Sequence, residues 1–168
     1  MSRLIRRMAG VAAAAATVLA VAAPAAAAPE DYDLFLPAGL GCEGFGLGID
    51  IGGGNRIIRE FTDENGNVVR ILETGRGTDL TFTNDTTGAS LVLRSSGSVS
   101  DTRFNSDGTR AVSSMGHNVV ILFPTDVPAG PSTKLYVGRL VYTADSANNF
   151  VVQSFSGRTT DICERLSL

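Results

Sequence analysis

From Cys42 onward, apolar residues recur at every second position, and no ten-residue stretch after the N-terminal leader keeps helical spacing. Strict alternation sends successive side chains to opposite faces, which is the pattern of a strand with one buried face. Phe45, Leu47, Ile49 and Ile51 are the plainest case, with Gly44, Gly46, Gly48 and Asp50 between them. Those glycines leave one face bare, and the pattern predicts a sharp bend there, as at a barrel corner.

Turn chemistry divides the rest. Arg56 to Phe61 and Val68 to Glu73 flank Asn65-Gly66, whose tolerance of positive φ predicts a hairpin. Asn105-Ser106-Asp107-Gly108 predicts another, and Leu135 to Thr143 with Phe150 to Phe155 a third. Gly97 to Phe104 is rich in Ser and Thr and reads as an edge or solvated strand. Asp161 to Leu166 leaves room for a single helical turn. The longest apolar run after the leader is Gly116-His117-Asn118-Val119-Val120-Ile121-Leu122-Phe123-Pro124. Val119, Ile121 and Phe123 take one face, Val120 and Leu122 the other, which predicts a central strand covered on both sides and closed by proline. The whole reads as all-β: a single antiparallel meander of about ten strands forming a barrel-like sandwich or a barrel.

The leader is a targeting segment. Arg3, Arg6 and Arg7 precede an alanine-rich apolar run, and Ala25 to Ala28 supply the small residues a signal peptidase needs. Residues 1–28 are therefore expected to be a cleavable signal peptide and 29–168 one secreted β domain. No other apolar run is long enough to span a bilayer, so no membrane association is expected after cleavage. The leader carries three of the 14 basic residues and none of the 17 acidic ones, so the remainder has a net charge of about −6. That balance points away from nucleic acid, which rewards clustered Lys and Arg. Cys42 and Cys163 are the only cysteines. In an oxidising compartment they are expected to pair, closing a loop of about 120 residues worth at most about 4–5 kcal/mol of unfolded-state entropy. The alternative, two free thiols for metal or redox work, lacks a CxxC spacing or a nearby histidine.

Three stretches carry a resemblance: Asn65 to Arg70, Gly116 to Pro131 and Thr160 to Cys163. The chain resembles a group of small secreted proteins of high-GC Gram-positive bacteria to which no activity is attached. The resemblance implies a bacterial, extracellular β domain and transfers no catalytic or ligand residue.

Chemistry is sparsely marked. Nucleophilic catalysis needs a base beside a nucleophile and a group that orients the base. His117 is the sole histidine, with Asp126 and Ser113, Ser114 or Ser132 near it in sequence, and no GxSxG elbow is present. The plainer reading is a histidine at a strand start whose ring hydrogen-bonds the proline loop. A glycosidase pair could come only from acids such as Asp50, Glu60 and Glu73, with no tryptophan to stack on sugar. One His and two paired Cys cannot make a zinc site. Asp63, Asn65 and Asn67 offer alternate oxygens without the glycine and closing Glu of a calcium loop, and read as turn residues. No cofactor is expected. The favoured reading is a non-enzymatic exported domain that binds an unidentified ligand or protein. The rigid loop bearing Pro124, Asp126, Pro128 and Pro131 is the expected contact surface, or equally a connector that only terminates the central strand. The alternatives are a small hydrolase or isomerase using His117, and a structural component of the cell envelope.

Overall fold

A computed structural model describes residues 31–168; the expected signal peptide lies outside the described residues. Ten strands and one short helix follow in order: β1 Leu34–Leu36, β2 Leu47–Gly52, β3 Asn55–Thr62, β4 Val68–Arg76, β5 Asp79–Asn84, β6 Ser90–Leu93, β7 Ser98–Phe104, β8 Arg110–Leu122, β9 Ser132–Ala144, β10 Phe150–Asp161 and α1 Ile162–Leu166. They make two antiparallel sheets, one of four strands in the order β1-β2-β5-β6 and one of six in the order β10-β9-β8-β7-β4-β3. The all-β expectation holds, as a two-sheet sandwich. Neither sheet closes, so the barrel is not found.

The single meander also fails, for a definite reason. After β2 the chain leaves the small sheet, builds the β3–β4 hairpin in the large one, and returns as β5 beside β2. After β6 it crosses again, and β7 pairs with β4. Only β7 to β10 form an uninterrupted meander. The predicted hairpins stand where turn chemistry put them, with Gly66 at φ 84° and Gly108 at φ 83°. The strand expected to be an edge or solvated strand, β7, is internal to the sheet between β8 and β4, though Val99 and Phe104 on it are exposed. Its hydroxyls find partners within the sheet: Ser114 donates to Ser100 at 3.2 Å, and Arg56 to Ser98 at 3.1 Å.

The inner face of the small sheet is the alternating set Leu47, Ile49, Leu80, Phe82, Leu91 and Leu93. It packs against Val119, Ile121 and Leu135 of the large sheet. One end is closed by Ile162 and Leu166 of α1 and by the Cys42–Cys163 disulfide, which ties the segment before β2 to the helix. Asp161 caps α1 by accepting the Glu164 N–H, and the buried Asn84 holds its last turn through the Leu166 carbonyl at 3.1 Å. The opposite face of β2, left bare by glycines, is not a corner. Aromatic rings lie over it: a Cβ on Gly48 would sit 2.4 Å from Tyr32, and one on Gly46 2.7 Å from Phe35.

A line of glycines crosses the large sheet. Gly157 pairs with Gly138, Gly138 with Gly116, Gly116 with Ser98, and Ser98 with Gly75. Gly138 and Gly157 have φ of 141° and 129°, and a Cβ on either would lie 2.1 Å from a carbonyl oxygen of the neighbouring strand. Only glycine fits such a position. Along this line β8, β9 and β10 fold back on themselves. The rings of Tyr136 and Phe155 meet at 4.9 Å. Yet Phe155 pairs with Leu140, four residues from Tyr136, about 13 Å along a straight strand. The fold is tied at its far end by Asp126. Its two oxygens accept the N–H groups of Phe123, just past β8, and Phe150, the first residue of β10, each at 2.6 Å. Val112, Leu122, Tyr136, Leu140 and Ala144 are buried inside the bend.

Candidate functional site

The bend leaves an apolar cleft of about 490 Å³ along β8. One wall is the small sheet: Leu34, Leu36, Ile49, Ile51, Leu80 and Phe82. Another is β8 and its exit: Val119, Val120, Ile121 and Phe123. The third is the folded-back end of β9 and β10, Tyr142 and Phe150, whose rings meet edge to face at 5.2 Å. Eleven of these twelve side chains are pure hydrocarbon. The twelfth, Tyr142, has its hydroxyl pushed above its ordinary pKa, first by burial and then by Glu73, with Arg110 opposing. Ile51 and Leu34 stand at the mouth, 49% and 42% exposed. Phe82 and Ile49 at the back of the cleft are buried in the core, and only the residues at the mouth meet solvent. A cleft of this size and lining matches the common form of small-molecule sites.

A second cavity, of about 390 Å³, adjoins the first and shares Leu80 and Val119 with it. It lies at the glycine line, between the ends of β5 and β6 and the start of the outer half of β8. Its lining is mixed: Arg56, Thr78, Arg94, Ser95, His117 and Asn118 supply polar groups beside Leu80, Val92, Leu93, Val119 and Leu135. Arg56 donates to Glu73 at 3.3 Å and to Ser98. Asp79 beside it is engaged by Arg76 and by the Ser95 N–H, which hold its carboxyl below the ordinary value, the Ser95 bond contributing most. The Asn118 Nδ2 is buried with no hydrogen-bond partner among the described residues.

His117 is therefore in a cavity, but not in the company the sequence suggested. Its Nδ1 pairs with Ser96 Oγ, a hydroxyl on the β6–β7 link. The proline loop does not touch the ring, which corrects that expectation. The sequence signal passed over Ser96 because the β6–β7 link has no distinguishing pattern. Among the described residues no carboxylate hydrogen-bonds His117, so the Ser96–His117 pair has no orienting third member. Asp126 is at the other end of β8, 3% exposed, with both oxygens committed to backbone N–H groups. Of the catalytic candidates Ser113, Ser114 and Ser132, none hydrogen-bonds His117.

The loop expected to contact partners is a strap. Val127 bridges to β10 through Val151, and Asp126 is internal, while Pro124 and Pro128 remain exposed and Pro131 is half-buried. Asp50, Glu60 and Glu73 do not converge: Asp50 is on the small sheet, and Glu73 is paired with Arg56. Asp63 works as a turn cap. Its Oδ1 accepts the N–H groups of Asn65 and Asn67 at 2.9 and 2.8 Å, and the Asn67 side chain leads in holding its carboxyl below the ordinary value.

The fold and its cleft define an antiparallel two-sheet domain, clamped by one disulfide, with an open hydrocarbon-lined cleft beside a cationic cavity. No protein-family model, no curated protein and no solved structure matches the chain. Among the described residues no helix is long and apolar enough to cross a membrane.

Proposed function

We propose that this chain is an exported, non-enzymatic domain that holds an apolar small molecule in the cleft between its two sheets. The apolar cleft carries the reading. Twelve side chains with almost no polar atom line one open cleft, and apolar surface gathered in a concavity favours an apolar occupant over water. The leader pattern, the disulfide and the resemblance to secreted bacterial proteins support export.

A neutral environment-sensitive dye tests the claim. N-phenylnaphthylamine is expected to bind saturably, one per chain, with a rise in emission. Ile51→Glu, at the partly exposed mouth, is expected to weaken binding by about tenfold or more while circular dichroism stays unchanged. Non-saturating emission, or undiminished binding in the folded variant, would contradict the reading. His117→Ala leaves dye binding intact on this account.

A further inference from the structure

We propose that the ligand is an anionic amphiphile, a long-chain carboxylate, with its hydrocarbon in the apolar cleft and its head group in the adjoining cationic cavity. The proposal rests on the apolar-cleft reading and adds the head group to it. Its first support is continuity. Leu80 and Val119 line both cavities, so a chain lying in the cleft reaches the cationic one by passing over those two side chains.

Its second support is charge. Arg94 makes no ion pair or hydrogen bond with any described residue, and the nearest carboxylate that feels it, Asp79, is already engaged by Arg76 and the Ser95 N–H. Arg56 shares its guanidinium with Glu73 and Ser98 but stays 39% exposed at the side chain. One cation thus makes no hydrogen bond or ion pair and another is part-engaged, and both line this cavity. In a chain with an acidic excess, cations gathered at a cavity stand out from the surface around them.

The third support is the orphan donor. A buried amide without a partner costs about 1–3 kcal/mol, and such groups call for a missing acceptor. Asn118, one of the residues lining this cavity, carries such an unpartnered nitrogen, itself enclosed behind the lining. The unpaired Arg94 guanidinium and Asn118 Nδ2 are donors, and the acidic groups nearby, Glu73 and Asp79, are paired. An oxyanion fits this set and an alkylammonium does not.

Isothermal titration of the full disulfide-bonded domain with decanoate, decanol and decylammonium separates the possibilities. The proposal predicts decanoate tighter than decanol by about tenfold or more, the ordinary worth of one charge-assisted hydrogen bond. It predicts that raising salt narrows the gap. Arg94→Gln, at an exposed position, should bring the two affinities to within about threefold. Equal binding of decanoate and decanol in the wild-type protein, or tightest binding of decylammonium, would overturn the head-group assignment and leave the apolar cleft standing. Binding of none of the three would overturn both. An undiminished preference for decanoate in Arg94→Gln would overturn the role given to Arg94 and with it the cationic cavity as the head-group site.

Discussion

The two sides of the glycine line are built from the same large sheet and are treated oppositely. On one side, residues 117–122, 132–137 and 158–161 are sandwiched against the small sheet, α1 and the disulfide. On the other, β3, β4 and β7 have no second layer over their outer face. There Ile57, Val99 and Met115 are 59%, 42% and 57% exposed. β3 is exposed on both faces along its full length, with Ile58 also 57% exposed. What holds β3, β4 and β7 is lateral pairing and surface chemistry, whereas β8 to β10 on this side bury Val112, Leu140 and Ala144 inside the bend. Arg70 grips Asp101 with two bonds of 2.8 Å and lies over the Phe61 ring at 5.1 Å. The difference teaches that packing concentrates where a second layer or the bend covers the large sheet, while β3, β4 and β7 extend it uncovered.

The largest test of that contrast is a pair of truncations. Phe82→Ala removes a ring with no exposure between the sheets and is expected to cost about 3–5 kcal/mol in urea denaturation. Ile57→Ala removes three carbons from the open side and is expected to cost about 0.5 kcal/mol or less. Equal losses would erase the distinction. Next in size is the hinge itself. Gly138→Ala places a methyl against the Ser156 carbonyl at a φ that disfavours side chains, and should cost about 3 kcal/mol. A milder loss in the same assay would mean that the strands can bend without glycine there.

Much of the local structure was legible in the chain and little of its assembly was. Alternation at Leu47, Ile49 and Ile51, and the Asn65-Gly66 and Asp107-Gly108 turns, locate strands because these signals depend on neighbours in sequence. Which sheet each hairpin joins does not, so the crossing of β3 and β4 into the large sheet had no local mark. The Ser- and Thr-rich β7 misled because hydroxyls bonded to Ser100 or Arg56 inside a sheet look, in sequence, like hydroxyls facing water. The glycine line was partly legible. Gly138 and Gly157 lie almost symmetrically about the Asp145–Asn149 turn, so a hairpin there sets them opposite one another. The disulfide followed from the leader and the cysteine count. His117 was marked as a candidate, but its neighbour Ser96 was not. The cleft was invisible because Val119, Val120 and Ile121 have the same pattern whether they pack against side chains or line an opening.

The most direct test is a methyl NMR titration of the full domain with decanol. The predicted result is a saturating shift at Ile49, Ile51, Leu80, Val119, Val120 and Ile121, with Ile57 and Ile58 unmoved. Shifts confined to Ile57 and Ile58, or no saturating shift at all, would contradict the account.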